Sequence, residues 1–257
     1  MGEALLPSGL AGTVREITVE EEDLLANPKL ARTGRNLQRV FEQCWVSTTD
    51  PGVYEFPDGR LVSDQLLQGD SLVLLVLLRI ESYGPEYAFD VNCPHCGQSI
   101  PWEVDLKEFL REAMKPLPEE SKIILREKGG VFDAVFPRCG RAYKFRLLRG
   151  VDERKFPRIR RHNREQLSST LIDLSLSEVE GVRFKRAFLG LEPYPKDTPE
   201  EERLIMSSGD ANYFRRHSDE VNCGLETTFE VECPDHGEVK VELPFREDFL
   251  LPKLETR

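Results

Sequence analysis

Two segments far apart in the chain share one pattern, and this repeat constrains the fold more than any other feature. Phe-Asp-Val-Asn-Cys-Pro-His-Cys-Gly at 89–97 aligns without a gap with Phe-Glu-Val-Glu-Cys-Pro-Asp-His-Gly at 229–237. In each copy an alternating strand leads to a cysteine, proline stiffens the turn, a second metal donor follows, and glycine lets the backbone reverse. We call residues 93–97 the first knuckle and 233–237 the second knuckle. Because each supplies half of a tetrahedral site, the repeat predicts one structural zinc ion held by Cys93, Cys96, Cys233 and His236.

Several residues near the knuckles leave alternatives open. The second knuckle can also be a hairpin turn without a metal, because it has His236 where the first has a cysteine. Cys223 is a possible substitute ligand, although its distance from the knuckle favours packing under the hairpin. His95 is expected to be an exposed turn residue more than a ligand. Cys139 in Pro-Arg-Cys-Gly resembles a third half-site, but Phe136 stands where its partner cysteine would be, which favours a small turn residue.

The composition indicates a chain with its own core and a negative surface. At 257 residues the chain can bury a sizeable hydrophobic core, so a metal ion would stabilise only its surroundings and not the whole fold. Its net charge of -11 excludes a general polyanion binder, because such proteins carry basic residues that replace phosphate counterions. The N-terminus has no secretory signal pattern, and the longest apolar run, Leu72–Leu78, is too short to span a bilayer. The cysteines are therefore expected to be reduced and able to bind metal.

Periodic apolar residues predict several helices. The segment Thr18–Glu21 is a capping box, which marks a helix start. A helix is expected over 34–45, with Cys44 on its inner face. Asp70 is the expected N-cap of an apolar, buried helix that runs through Ile80 and stops at Gly-Pro.

Alternating residues around each knuckle predict two hairpins, with the metal ligands at their tips. A helix is expected over 105–114. After it we expect a three-strand meander, with strands at 123–126, 131–136 and 143–148. The segment Thr198–Glu201 combines a capping box with proline at the first helical position, which predicts another helix start.

Together these elements predict an α+β fold, in which antiparallel hairpins form a split zinc ribbon packed with several helices. The expected organisation is a mainly helical N-terminal segment, a unit with the first knuckle and the meander, a basic linker or hinge, and a helical segment with the second knuckle. Their bounds are 1–86, 87–148, 149–165 and 166–257. The last segment is expected to complete one composite domain with 87–148.

No catalytic motif accompanies the predicted zinc site. Four protein ligands fill its coordination positions, whereas a catalytic zinc keeps one position open for water or substrate. The sequence has no phosphate loop, metalloprotease helix or nucleophile elbow. Cys93 and Cys96 have the spacing of thiol oxidoreductases, but those motifs open a helix, whereas the first knuckle joins two strands. The sequence therefore predicts a protein that is not an enzyme and has no small-molecule substrate.

Beyond the knuckles, four further stretches form a pattern in a fixed order. They are Leu-Leu-Ala-Asn-Pro-Lys-Leu at 24–30, Gly-Asp at 69–70, Ser-Tyr-Gly-Pro-Glu-Tyr at 82–87 and Phe-Arg-Leu-Leu-Arg-Gly at 145–150. In these stretches the chain resembles the T-even-type bacteriophage baseplate hub assembly proteins of contractile-tailed phages and phage-derived elements. The resemblance extends from about Thr13 to Leu243. Members commonly carry two Cys-Pro-x-Cys turns, and this chain departs from them at His236.

The resemblance implies a small assembly chaperone that binds baseplate hub or other tail proteins in the bacterial host cytoplasm, without a membrane partner. A second hypothesis is a permanent structural component of a tail or injection baseplate. A third is a zinc-ribbon nucleic-acid adaptor that uses the arginine-rich segment 154–164, which includes Arg158, Arg160 and Arg161. Such a run is more often a solvated linker, and the acidic balance of the chain favours that interpretation.

Two surfaces are candidates for contact with a protein partner, because an assembly factor needs a modest apolar patch. One is the loop 54–61. The other is the C-terminal tail, which is more apolar than a free terminus requires and contains Phe245, Phe249, Leu250 and Leu251. Docking of this tail on its own chain is the alternative.

Overall fold

The computed structural model describes residues 1–127, 129–155, 167–245 and 249–251. The helices within these ranges are α1 (Val19–Ala26), α2 (Pro28–Thr33), α3 (Asn36–Cys44), α4 (Gln68–Tyr83), α5 (Leu106–Ala113), α6 (Glu119–Glu127), α7 (Gly150–Glu153), α8 (Leu167–Ser175), α9 (Lys185–Phe188) and α10 (Ser208–Glu220). The strands are β1 (Gly2–Leu5), β2 (Ala11–Val14), β3 (Trp45–Asp50), β4 (Glu86–Asn92), β5 (Ser99–Asp105), β6 (Met114–Lys115), β7 (Val131–Val135), β8 (Ala142–Arg146), β9 (Leu176–Val179), β10 (Gly224–Leu225), β11 (Thr228–Cys233) and β12 (Gly237–Glu242). Among the helices described, none combines the length and the apolar composition needed to cross a bilayer.

The strands form small antiparallel sheets. Two sheets have three strands, in the orders β1-β2-β3 and β7-β8-β9. Three more are two-stranded pairs: β4-β5, β11-β12 and β6-β10. This mixture of helices with antiparallel sheets confirms the predicted α+β class.

Helix α4 lies in the main core and is the buried apolar helix predicted from the sequence. Its buried apolar residues include Val73, Leu74, Val76, Leu78 and Ile80. The helix ends at Gly84, whose φ of 89° lies in the region that favours glycine. At its other end β10 passes so closely that a Cβ on Gly69 would lie 2.2 Å from the carbonyl oxygen of Cys223. The predicted helix and its stop are therefore confirmed.

Asp70, however, is not the N-cap of α4. Leu67 holds that position and the helix begins at Gln68, so Asp70 falls in the first turn, where it is fully buried. Its carboxylate accepts a hydrogen bond from the Ser8 backbone N–H at 3.0 Å and another from the Tyr54 hydroxyl. Burial raises the pKa of Asp70, and these hydrogen bonds oppose that shift. The predicted cap is wrong because the carboxylate serves donors outside its own helix.

Residues 123–126 lie in helix α6, so the first strand of the predicted meander is wrong. Ser121 and Leu125 are buried four positions apart on one face of the helix, while Ile123 is exposed. A short apolar run fits both the two-residue period of a strand and the 3.6-residue period of a helix. Here the burial of one helical face shows that the segment is a helix. The third strand of this sheet is β9, which comes from a later part of the chain and pairs with β8.

The segment Thr198–Glu201 does not start a long helix either. Only a short 3₁₀ turn follows, at Glu200–Glu202, and Pro199 has an extended ψ of 146°. The Thr198 hydroxyl is buried and has no hydrogen-bond partner among the described residues, so it does not cap a helix. The next helix is α10, where the side chain of Ser207 accepts a hydrogen bond from the Asp210 N–H.

Two buried carboxylates near helix starts are paired with arginines. Glu21 completes the predicted capping box by accepting from the Thr18 N–H at 3.0 Å, and its two oxygens accept from Arg15 at 2.7 and 2.9 Å. The hydrogen bonds from Arg15 lower the pKa of Glu21 to about 2. Burial opposes ionisation of Asp152, but hydrogen bonds from Arg146 outweigh it and lower the pKa of Asp152 to about 2.

These carboxylates predict a loss of stability in acid. A carboxyl group whose pKa is lower in the folded chain stabilises the fold above its unfolded pKa, and the contribution disappears as pH falls through the folded pKa. Glu21→Gln, which keeps an acceptor for the Thr18 N–H, is therefore expected to lower the free energy of unfolding by about 1–3 kcal/mol at pH 7. About half of that difference should remain at pH 3, where part of the wild-type contribution has already gone.

Urea unfolding at pH 7 and pH 3 measures this effect. Glu108→Gln is the matched control, because Glu108 is exposed on α5 and its side chain is 68% accessible. A Glu21→Gln effect that is equal at both pH values would contradict the assigned pKa shift.

Candidate metal centre

The two knuckles are the tips of two hairpins, as the sequence predicted. The β4-β5 hairpin ends at the pair Asn92 and Ser99, and the β11-β12 hairpin ends at the pair Cys233 and Gly237. We call these the first and second hairpin. In the first knuckle the Cys93 N–H donates to the Gln98 carbonyl at 2.9 Å. The glycines that close the two knuckles, Gly97 and Gly237, have φ values of 74° and 69°. Glycine is therefore needed at both turns.

The four predicted ligands converge at one point between the hairpin tips. Their donor atoms all lie within 4.8 Å of one another. The Cys93 Sγ and Cys233 Sγ atoms lie 3.8 and 3.7 Å from the Nδ1 of His236, and the Cys96 Sγ lies 3.9 Å from the Cys233 Sγ. Two residues that are 137 positions apart in the chain, Cys96 and Cys233, are thus side by side. The structure brings all four together in a geometry that can hold a metal ion.

Three of the donor-to-donor distances are close to the edges of a tetrahedron around a metal ion, and the remaining pairs lie within 4.8 Å. Metal–sulfur bonds of about 2.3 Å and metal–nitrogen bonds of about 2.0 Å give donor-to-donor edges of about 3.5–3.8 Å. The distances of 3.7, 3.8 and 3.9 Å fall close to that range. One ion placed between the four donors would therefore complete a tetrahedral site without a large rearrangement.

Each knuckle contributes one buried and one exposed donor. Cys93 and Cys233, the first donors of the two knuckles, are 2% and 1% accessible, whereas Cys96 and His236 are exposed. This alternation follows from the hairpin, because the first donor ends a strand whose inner face is covered and the second lies in the turn. The site is therefore closed toward the protein and accessible from solvent on one side.

A small apolar cluster lies beneath the donors and joins the two hairpins. Its buried members are distinct from those of the main core, while the flanking Phe89 and Phe229 also pack against that core. The cluster consists of Val91, Ile100, Val231, Val239 and Val241 together with the two buried cysteines, flanked by Phe89, Trp102 and Phe229. The Phe229 ring lies 6.0 Å from that of Phe89 and 6.2 Å from that of Trp102. This aromatic contact was missed in the sequence, although its signal is present: phenylalanine stands at the same place in both copies of the repeat.

The first knuckle favours a thiolate at Cys93. Burial opposes ionisation of this thiol, but backbone N–H groups of Cys96 and His95 stabilise the charge, and they lower the pKa of Cys93 to about 7. Thiolate is the form of cysteine that binds metals.

The other cysteine and histidine candidates lie outside the group. Cys223 is buried, but at the start of α4, where its Sγ is 3.9 Å from the Asp70 carboxylate, and not under the second hairpin. Exposed His95 lies near His236, with ring centroids 5.2 Å apart and the rings tilted, and it is not among the four clustered donors. Cys139 is half-buried in a turn. Cys44 lies in the main core, as predicted.

The turn around Cys139 has the hydrogen bonds of a knuckle but lacks the first of its two donors. The Gly140 N–H donates to the Phe136 carbonyl at 2.9 Å, as the Gly97 N–H does to Cys93. Phe136 is fully buried and stacks on Tyr143 at 4.0 Å. The knuckle shape therefore follows from local sequence, and an apolar side chain can replace the first ligand.

The predicted contact residues in the tail pack against the chain itself. Phe249 and Leu250 are buried, and the Phe249 ring meets Tyr87 edge-on at 5.0 Å and Phe245 at 5.1 Å. Phe245 and Leu251 are half-buried. Binding of a partner by this segment stays a prediction. The arginines predicted for nucleic-acid contact lie outside the described residues: Arg158, Arg160 and Arg161.

The loop 54–61 is anchored at both ends. Tyr54 and Leu61 are buried, while residues 57–60 between them are exposed. The exposed part contains Asp58, the one described residue other than glycine with a positive φ. Its use as a contact surface also stays a prediction.

The chain was compared with known proteins both by sequence and by structure. No protein-family model, no curated protein and no solved structure matches it. Its own residues place three thiols and one imidazole in a geometry compatible with a metal ion.

Proposed function

We propose that Cys93, Cys96, Cys233 and His236 hold one zinc ion and that the two hairpins form a split zinc ribbon. The carrying observation is the convergence of four donors from two knuckles, all within 4.8 Å of one another. Sulfur and imidazole donors in a tetrahedron are the preferred set of zinc, whereas calcium and magnesium require oxygen ligands. The donor set therefore supports zinc over the alkaline-earth ions.

We infer a structural role for this ion. Four protein donors fill a tetrahedral coordination sphere, and a catalytic zinc needs a position for water or substrate. The first hairpin and the second hairpin are not hydrogen-bonded into one sheet. An ion held by two residues of each would therefore clamp them together, which is the role expected of a structural site.

Metal analysis tests the zinc assignment. The intact protein is expected to carry about one zinc ion per chain, since four ligands complete one tetrahedral site. The double variant Cys96→Ser with His236→Ala, which leaves one donor in each knuckle, should carry none after dialysis. A metal content that is the same in both proteins would remove the assignment.

For the whole chain, we propose a non-enzymatic assembly protein that binds baseplate hub or other tail proteins of a contractile-tailed phage or phage-derived element in the host cytoplasm. Support comes from the ordered stretches that resemble that family and from the two knuckles. Two hairpins held together by a metal ion also suit a binding protein. A rigid surface of this kind loses little conformational entropy when a partner binds.

A pull-down from cells that express the neighbouring tail proteins tests this role. Recovery of a hub or baseplate protein is the expected result, and recovery of none would argue strongly against it. Purified particles give a second measurement. If the chain is present there at fixed stoichiometry, it is a permanent component and not a transient chaperone.

A further inference from the structure

A small polar cavity lies on the side of the molecule formed by α3, far in sequence from the knuckles. Its volume is about 240 Å³. One wall is a stripe along the start of α3, with residues at helical spacing of three and four. The other wall comes from the turn Ser63–Gln65 and the end of α7. The lining residues are Arg35, Gln38, Arg39, Glu42, Ser63, Asp64 and Arg154.

Most polar groups of this cavity are already engaged. The buried Gln38 donates from Nε2 to the Gly150 carbonyl at 2.6 Å. Glu42 accepts from the Ser63 hydroxyl at 2.7 Å and from its backbone N–H at 3.2 Å. Asp64 forms an ion pair with Arg154. These bonds hold the two walls together, and the ion pair with Arg154 neutralises the charge of Asp64. Glu42 keeps its charge, so three arginines face two carboxylates and the lining of the cavity has a net positive charge.

Two guanidinium groups in the lining of the cavity are not engaged in this way. In the part of the chain that the structure describes, the side chains of Arg35 and Arg39 have no hydrogen-bond or ion-pair partner. Arginine has five N–H donors and no acceptor. The remaining binding capacity of the cavity is therefore for a group that accepts hydrogen bonds and carries negative charge.

We propose that this cavity binds a phosphate group between Arg35 and Arg39, with Arg154 on the opposite wall. Planar guanidinium groups pair with phosphate through two parallel hydrogen bonds, which a spherical anion cannot accept. The volume of about 240 Å³ suits a phosphate or a small phosphate ester, since pockets for larger organic ligands measure about 300–1,000 Å³. The site does not depend on the proposed zinc ion, because none of its residues belongs to either hairpin.

The phosphate could belong to a free phosphate ester or to a nucleic-acid strand. Both present the same oxygens to the arginines. Arg154 is also the first residue of the arginine-rich segment 154–164, so the cavity lies where that segment begins. The test therefore needs one small probe and one polymeric probe.

Calorimetric titration of the full-length protein with inorganic pyrophosphate and with a short single-stranded oligonucleotide tests the proposal. The double variant Arg35→Gln with Arg39→Gln is expected to bind pyrophosphate about 10- to 100-fold more weakly, because two charge-assisted contacts are lost. Arg111→Gln is the matched control, since Arg111 is 71% accessible on α5 and outside the cavity. Thermal unfolding of both variants should match that of the intact protein, because the replaced side chains are exposed.

The outcomes separate the two sources of phosphate. Pyrophosphate binding that the double variant loses and Arg111→Gln retains supports the site with a free phosphate ester as its ligand. Tighter binding of the oligonucleotide with the same loss supports the site and assigns the phosphate to a nucleic-acid strand. No binding of either probe to the intact protein overturns the proposal, and so do equal losses in the double variant and the control.

Discussion

Cys233→Ser is expected to separate the two hairpins from each other and leave the main core folded. The hairpins are separate two-stranded sheets, and such pairs are marginal in water without further support. Among the residues that the structure describes, a small apolar cluster joins their tips, together with the proposed zinc ion. Zinc binding contributes about 10–16 kcal/mol in zinc-finger peptides, so its loss should remove most of the local stability.

Hydrogen exchange measures this directly. Backbone amides of β4, β5, β11 and β12 should exchange about 1,000-fold faster or more in Cys233→Ser, whereas those of α4 should change little. Treatment of the intact protein with a chelator should give the same pattern. Cys139→Ser is the matched control, because Cys139 lies in a turn of the same shape that lacks the partner donors. Hairpin amides that stay protected in Cys233→Ser would show that the apolar cluster alone holds the tips.

Asp70→Ala is expected to destabilise the main core by about 3–5 kcal/mol. The substitution leaves the Ser8 N–H and the Tyr54 hydroxyl buried without their acceptor, and it also opens a cavity beside α4. Tyr54 is itself held by the Leu67 N–H, which donates to its hydroxyl at 2.9 Å. The β1-β2 turn, the loop after β3 and the start of α4 therefore depend on one carboxylate.

A double-mutant cycle with Tyr54→Phe isolates this network. The two substitutions remove the same hydrogen bond, so their combined effect on the free energy of unfolding should be smaller than the sum of the single effects by about 1–2 kcal/mol. Glu108→Ala is a control, because Glu108 is an exposed carboxylate on α5 whose side chain is 68% accessible. A loss below about 1 kcal/mol for Asp70→Ala would contradict the role assigned to it.

Predictions from the sequence were correct where short-range patterns decide the structure. The alternation around the knuckles gave both hairpins, and the helical spacing of apolar residues gave α3 and α4. The capping box at Thr18–Glu21 was also correct, since both groups belong to one turn. Proline and glycine fix the turn shape so strongly that it recurs at Phe136–Gly140, where phenylalanine replaces the first metal donor.

Predictions were wrong where distant residues compete with local preference. The run at 123–126 fits a strand, but burial of one face makes it a helix. Thr198 has the pattern of a cap, yet its hydroxyl is buried without a partner in the described structure. Asp70 has the side chain of an N-cap residue, but its carboxylate accepts hydrogen bonds from Ser8 and Tyr54 instead. For Asp70 the deciding donors lie 62 and 16 positions away in the chain, outside any local sequence window.

The sequence by itself determined the four donors and the shape of the turns that present them, because both depend on a few adjacent residues. Only the tertiary structure decided that the two pairs meet, although Cys96 and Cys233 are 137 positions apart. Their meeting depends on how the bases of the hairpins pack, where the Tyr87 hydroxyl donates to the Pro244 carbonyl at 3.0 Å. The cavity lined by Arg35, Arg39 and Arg154 likewise results from packing. No sequence motif links α3 to Arg154, and the fold makes them neighbours.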